Sequence, residues 1–573
     1  MPHKLTKKVR IGEYARQQPR HRVILVTLLF GSVVLWAIGM GKSELSLGLW
    51  GLIEGIHPLY FISLTMLSIS FFIYVFQERP HMLVSLLYIA VFVSFIYLVQ
   101  VILEGTACNY HTYSMSIHSQ YIVDHGNLGP SIRILAYHNW PGAFLLTSQL
   151  QIVTSLDIKD ILLYTPLFSR LLIIPVLAML FRMLTYDSRK VLLGLWFFFL
   201  ADFLGLDYLT GANIGYIMFL LLVAMLIGSI GEKPGFSNLG ARLCIIILFG
   251  GLIISHTLSP LAVILCLAAL LLYYWLRHKF KQAGTQNYPR FLPFSLIILF
   301  GILFLAWLIY GAENQMSIQL LNVWRQLFSV DLLQRVTLHD PSLFIGSYQA
   351  KLVIAGGMVL FGGLGLVYGW FHGHNKETLL RTLAMLGSLI ALMVVFYGGE
   401  IRNRIYLYGS PFLIFLGVQS IDWRPVRYAL LCFLLICLPL HFMAHYGIER
   451  IQYVPETEVT GAEWFYDSTP QCTIYLMPNN LSQFKRVEDS RVSIKPDTEF
   501  DNLLKEGKYP SYVWINWGAE RFIDTKSGLV QLGLDYPGDF MSSLQTWLES
   551  SPAFNVIYNN PHFQVYKLMS GKT

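Results

Sequence analysis

Charge is what this sequence is short of. Only 13% of its 573 residues are Asp, Glu, Lys or Arg, against roughly 25% in soluble globular domains. Hydrophobic residues make up 55%. They come in repeated runs of about 18 to 22 residues, the length that crosses a hydrocarbon core of about 30 Å. A soluble chain is thereby excluded. Cysteine is scarce too, and six residues form no disulfide framework. Cys244, Cys266, Cys432 and Cys437 lie inside apolar runs and read as packing residues. Cys108 and Cys472 fall in segments expected outside the membrane, as a disulfide or as two free thiols. The sequence has no GxxxxGK[ST], no HExxH and no CxxC pair, so nucleotide-driven chemistry is unsupported. No spacing asks for a metal, although a divalent cation stays compatible with the residues present. The net charge of +7 is not the footprint of a nucleic-acid partner. Its excess basic residues sit in short loops between apolar runs, as membrane orientation requires.

What is there is a chain of hydrophobic segments. We read spans at 23–40, 57–76, 82–103, 161–181, 190–206, 211–230, 241–256, 259–276, 291–310, 350–371, 380–398, 404–421 and 427–446, about thirteen in all by length and apolarity. The basic head 1–22 has no cleavage signal behind it and is expected in the cytoplasm. Charge settles the one ambiguous run, PGAFLLTSQLQIVTSL at 141–156. Span three ends outside at Leu103, and RMLTYDSRK after Phe181 should lie inside, so an odd number of crossings separates them. The span at 161–181 alone satisfies this. Residues 141–156 are short and carry Ser148, Gln149 and Gln151, so they read as an amphipathic helix in the outer interface. Loops 231–242, 277–290 and 422–427 then fall inside, and the long loop 311–349 outside. The fold expected is therefore an α-helical polytopic membrane protein over 1–446. Its large outer loop is 104–160 and its second is 311–349. The polar tail 447–573, with strand-like runs TIYLM, YVWINW, FNVIY and FQVYK, is expected to form a small extracytoplasmic α/β domain.

Ionisable groups in or beside spans are costly and tend to be functional. Here they gather on one side. The first outer loop holds Glu104, His111, His118, Asp124, His125 and His138, with Trp140 close by. Asp202 and Asp207 lie at the outer end of span five, and Arg170 in the outer half of span four. His256 sits in SHTLSP between spans seven and eight. Glu313, His339 and Asp340 belong to the second loop, and GGEIRNR brings Glu400, Arg402 and Arg404 to the start of span twelve. Each has a structural alternative. Glu104 can simply cap a span in water, and Asp124 before His125 and Gly126 can be a turn residue. His111 and His118, two helical turns apart, can share a face without forming a site. Asp202, deep in an apolar segment, needs a partner. The two arginines suit a phosphate, which the planar guanidinium fork grips bidentately; snorkelling to headgroups is their alternative.

The pattern resembles the GT-C class of membrane glycosyltransferases. HTYSMSIHSQYIVDHGNL followed by YHNWPGAFLL is similar to the first outer loop of that class. PLFSRLLIIPVLAMLFRML, with Arg170, resembles its next span, and ISHTLSP, RNRIYLYGSP and the tail ending FNVIYNNPHFQVYKL also look like members. The resemblance covers most of the chain, diffusely. It implies transfer of a sugar from a polyprenyl-phosphate-linked donor to a glycan, lipid or protein acceptor on the extracytoplasmic face of the plasma membrane. It implies Arg402, Arg404 and Arg170 at the lipid phosphate. His118, His138, Trp140, Asp207, His256 and Glu400 would line the substrate site. There is a departure: about fifteen residues before Gly126, where the class places its acid, stands His111. The base is then Glu104 or His111, with Asp124 the nearest acid downstream. A polysaccharide polymerase or ligase, a transporter and a non-catalytic assembly protein are the alternatives.

Overall fold

The computed structural model describes residues 23–48, 50–77, 80–107, 109–128, 139–230, 235–236, 238–280, 294–312, 345–372, 376–394, 401–470, 474–476, 492–494, 510–516 and 540–569. His138, Glu313, His339, Asp340, Glu400, Cys108 and Cys472 lie outside the described residues.

Every apolar run read as a span is a helix. They are α1 (Val23–Gly41), α2 (Pro58–Val75), α3 (Met82–Leu103), α6 (Ile158–Leu184), α7 (Ser188–Ala201), α8 (Gly211–Ile230), α9 (Leu239–Ser255), α10 (Leu258–Phe280), α11 (Phe294–Tyr310), α12 (Ile345–His372), α13 (Lys376–Leu389), α14 (Ile401–Val418) and α15 (Arg424–Tyr446). Among the described residues, 8 are long and apolar enough to cross a membrane, namely α1, α2, α3, α6, α8, α10, α12 and α15. The shorter α9 and α11 are apolar as well, and α7, α13 and α14 are short or charged at one end. The largest departure from the expected spans is α7. It stops at Ala201, with Asp202 as its C-cap, so both Asp202 and Asp207 stand in a connector beyond the helix rather than inside it.

Local chemistry sets the ends. Asn109 takes φ 73 and its side chain accepts from His111 N at 2.9 Å, starting α4 (Tyr110–His125). Gly126 ends α4 in the left-handed conformation, φ 66, which costs glycine little. Asp157 and Asp187 cap α6 and α7 through the amides of Lys159 and Arg189, each at 2.9 Å. The ambiguous run folds as α5 (Gly142–Thr154), a helix of 13 residues, about 20 Å long and too short to span. It buries Ala143, Phe144, Thr147 and Ser148 and exposes Leu146, Leu150, Ile152 and Val153, an apolar outer stripe suited to a bilayer surface.

One aromatic stack shows how the bundle closes. Trp196 on α7 is fully buried between Phe71 of α2 and Phe92 of α3, with ring centroids 4.2 and 4.0 Å apart. Elsewhere α12 packs on α14 and α15, α6 on α8, and α10 on α13. Large side chains such as Phe30, Leu83, Ile247 and Phe294 point outward. In water such a surface would aggregate; against lipid it is at home.

The ends of α1, α3, α7, α9, α11 and α15 meet the starts of α2, α6, α8, α10, α12 and α14 at one end of the bundle. There Trp307 Nε1 donates to Asn139 O at 3.1 Å and Ser347 Oγ to Ala444 O at 3.2 Å. A Cβ on Gly211 or Gly142 would strike Ser255. The tail sits at the same end. Two short helices, α16 (Glu449–Gln452) and α17 (Glu456–Ser468), lead to β1 (Ile474–Leu476), β2 (Val492–Ile494) and β3 (Tyr512–Asn516). These precede α18 (Phe540–Ser550), β4 (Phe554–Asn560) and β5 (Phe563–Leu568). The sheet order is β2-β1-β3-β5-β4, parallel over β2-β1-β3 and antiparallel over β3-β5-β4. Its core residues Phe465, Trp514, Phe563 and Val565 are continuous with Ala107, Tyr110, Tyr113, Leu162 and Leu209. The sheet is therefore packed onto the start of the first outer loop.

Candidate functional site

The last turn of α3 delivers Glu104, its C-cap. Gly105 then takes φ 67 and turns the chain away, leaving the carboxyl behind at 6% exposure. The segment after α15 runs alongside. Asn109 N–H donates to Gln452 O at 2.8 Å and Thr106 Oγ1 to Val454 O at 2.7 Å. Tyr110 OH donates to the buried Glu458 at 3.1 Å. This ladder brings Glu449, 1% exposed, against Glu104, and their carboxyls face one another at hydrogen-bonding range. As two carboxylates, both oxygens of Glu104 and Oε2 of Glu449 would lack a donor. Burial, with Glu449 adding to it, holds the Glu104 carboxyl well above the usual range. Burial and the nearby Asp207 push Glu449 up to about 8, against the opposing pull of its bond to Glu104.

Beyond this pair lies a buried network. Asp207 Oδ2 is 3.6 Å from His445 Nε2. Arg170, 1% exposed, places Nε 2.6 Å from Asp202 Oδ2 and donates from Nη1 to Asn213 Oδ1 at 3.2 Å. Its guanidinium also lies 5.9 Å from the Tyr97 ring. Asn213 Nδ2 donates to the Asp207 carbonyl at 2.7 Å, so the 202–210 connector is clamped from both sides. A carboxylate and a guanidinium taken out of water need this pairing; either alone would carry the full desolvation cost. His441 stacks on His445 with centroids 5.5 Å apart, and its Nδ1 meets Leu200 O at 3.1 Å.

Cations border the network on the other side. Lys351, near the start of α12, lies within electrostatic reach of both His445 and Arg402. Arg402 is exposed on the first turn of α14, and Arg404 is buried at 6% exposure. Neither Lys351 nor Arg402 has an ion-pair partner among the described residues. Arg404 sits near His256, whose Nδ1 meets Ser259 Oγ at 2.9 Å; that hydroxyl in turn meets Tyr408 OH at 2.7 Å. Neighbour by neighbour, the structure thus joins Glu104, Glu449, Asp207, His445, Lys351 and Arg402, while Arg404 and His256 form a second cluster.

Other residues singled out from the sequence stand elsewhere. His111 is exposed on the first turn of α4. His118, two turns on, is buried against Phe144 of α5 with centroids 5.0 Å apart, so the two histidines do not share one environment. Asp124 is exposed at the far end of α4 and accepts from Gln120 Nε2 at 2.8 Å. Trp140 is buried at the start of the α5 segment. Sequence reasoning passed over Glu449, Lys351 and His445. Each carried a legible signal: Glu449 follows the last span as Glu104 follows the third, and Lys351 and His445 are ionisable residues within apolar helices. Among the described residues no three His, Cys, Asp or Glu side chains converge as metal ligands would, and no step below is routed through a metal.

No family model matches this sequence, and no curated protein does. Solved structures do resemble it. The oligosaccharyltransferase of Archaeoglobus fulgidus, crystallised with a tethered acceptor peptide containing the NVT sequon, aligns at 10% identity over 86% of this chain and 74% of that one, with a TM-score of 0.51. ArnT from Cupriavidus metallidurans, crystallised with undecaprenyl phosphate, aligns at 12% identity over 85% of this chain and 98% of that one, with a TM-score of 0.49. At such identities the likeness to the oligosaccharyltransferase speaks to fold alone, and on that ground this chain carries the polytopic helical fold of the GT-C membrane glycosyltransferases, with a small C-terminal sheet.

Proposed function

We propose that this protein is a membrane glycosyltransferase that moves a sugar from a polyprenyl-phosphate-linked donor to an acceptor on the extracytoplasmic face of the plasma membrane. The observation that carries the reading is the juxtaposition at one bundle end. A buried acid, Glu104, lies across the Asp207–His445 contact from two cations, Lys351 and Arg402, that have no ion-pair partner among the described residues. Like charges held together without a counter-ion favour an anionic ligand, and a guanidinium at a helix start beside lipid suits a lipid phosphate. The Archaeoglobus fulgidus protein of the same fold is an oligosaccharyltransferase, which agrees with this class of reaction.

In this reading the prenyl chain lies along the apolar outer surface of the bundle. Arg402 and Lys351, with Arg404, neutralise the phosphate as it leaves the anomeric carbon. Glu104 is the base for the acceptor, because His111 is exposed and stands apart from the buried network. Arg170 is closed on Asp202 and Asn213; we assign it to holding the 202–210 connector rather than to the phosphate. Asp207, His256 and Trp140 line or brace the acceptor side. The N-terminus is cytoplasmic and the tail extracytoplasmic. The acceptor is a glycan, lipid or protein, and the activated donor supplies the free energy.

Purified protein incubated with a radiolabelled polyprenyl-phosphate sugar and a membrane extract as acceptor source should form labelled product. Arg402→Ala/Arg404→Ala should abolish transfer while expression persists. Full activity in that double variant would remove the phosphate assignment, and no transfer by any polyprenyl-linked sugar would favour the assembly-protein alternative. A reporter fused at Trp140 should report an extracytoplasmic position, and a cytoplasmic signal would overturn the topology.

A further inference from the structure

Two carboxyls side by side out of water cannot both ionise at modest cost. One proton held between them turns the repulsion into a hydrogen bond. That is the situation of Glu104 and Glu449, 6% and 1% exposed. The ladder from Asn109 and Thr106 to Gln452 and Val454 leaves them little freedom to separate. The nearest cation of the network offers no relief, because Arg170 is already closed on Asp202. The groups facing the pair are Gln100 on α3, Asp207 in the connector, Tyr446 on α15 and Tyr453 in the tail. His445 and Lys351 stand beyond Asp207. Of these only Asp207 adds negative charge, which further favours a retained proton.

We infer that Glu449, from the C-terminal segment, is the proton partner of Glu104, and that the working base is the singly protonated pair rather than Glu104 alone. This rests on the glycosyl-transfer reading above. The acceptor's O–H or N–H proton passes to the charged carboxylate of the pair. The acceptor atom bonds to the anomeric carbon, and the bond from that carbon to the phosphate oxygen breaks, with its electrons leaving on the lipid phosphate. The pair, now carrying two protons, returns one to solvent. Glu449 is thus a positioning residue. It fixes where the proton rests and keeps a second negative charge away from the anionic donor.

The test compares full-length wild type, Glu449→Gln and Glu104→Gln. Activity of the wild type should fall above about pH 8 as the pair loses its last proton. Glu449→Gln should lose that alkaline limb while retaining at least a tenth of wild-type activity at pH 7. Glu104→Gln should fall on the order of 100-fold or more, the loss of a general base. A Glu449→Gln profile that superimposes on the wild type overturns the proposal, because a merely structural residue would change level and not shape. Infrared spectroscopy tests the pair without any turnover. A buried protonated-carboxyl band at pH 7 should be present in wild type and vanish in both variants. Its absence from wild type, or its persistence in both, sinks the pair even if transfer is observed. A band that behaves as expected in a protein without transfer would instead reject the glycosyltransferase reading.

Discussion

The clearest lesson at the residue scale is how little the charge of a side chain says before its neighbours are known. Arg170 and Arg402 look alike in the sequence, each a guanidinium near one end of an apolar run. One is sealed against Asp202 at 2.6 Å; the other is exposed beside Lys351. Arg170→Met should destabilise the fold by about 3–5 kcal/mol, because it strands a buried carboxylate. Adding Asp202→Asn should recover part of that loss, a coupling that thermal unfolding in detergent will read. The acid pair makes a second prediction, this one in pH. A carboxyl raised on folding binds its proton more tightly in the native state. Its stabilising contribution is complete below the unfolded value of about 4.5 and is lost as pH rises toward about 8. The difference in unfolding free energy between wild type and Glu449→Gln should therefore move against the wild type across that window.

Helices were the legible scale. Each apolar run is a helix because its backbone has no other way to satisfy its polar groups in lipid, and the caps Asn109, Asp157 and Asp187 were in plain sight. Boundaries were harder. Nothing in LWFFFLADFLGLD marks Ala201 as the last helical residue; the stop is set by Asp202 turning to Arg170 on another helix. The assignment of α5 needed only the parity of charged loops, which is a property of the whole chain. At this scale the close approach of α8 to α9 is testable. A Cβ at Gly211 meets the backbone carbonyl of Ser255, so Gly211→Ala should cost about 1–3 kcal/mol and lower the melting temperature. Gly250→Ala, with open space around it, should cost at most a few tenths of that.

For the molecule as a whole, the tail is part of the site and not an appendage. Its core runs into Ala107, Tyr110 and Leu209, and it supplies Glu449. Truncation after Tyr446 should uncover that apolar surface and abolish transfer even if the helical bundle persists, which detergent-solubilised yield and the radiolabel assay will separate. The expectation of one polar bundle end rested on loop charges and the count of spans, and the structure gathers those side chains there. His111 was favoured as a base by spacing within one loop, whereas Glu449 lies 345 residues from Glu104 along the chain and no local pattern connects them.

Hydrophobic periodicity and run length by themselves determined the membrane class, the helices and the interfacial nature of α5, because burial in lipid leaves the backbone a single solution. They also placed the scarce charges near one end. Which of those charges neutralise each other, which stay free to meet a ligand, and which acid is forced to keep its proton depended on pairings between distant segments. Those pairings are decided by packing, since electrostatic energy in a low-dielectric interior varies over a few ångströms that sequence spacing does not record.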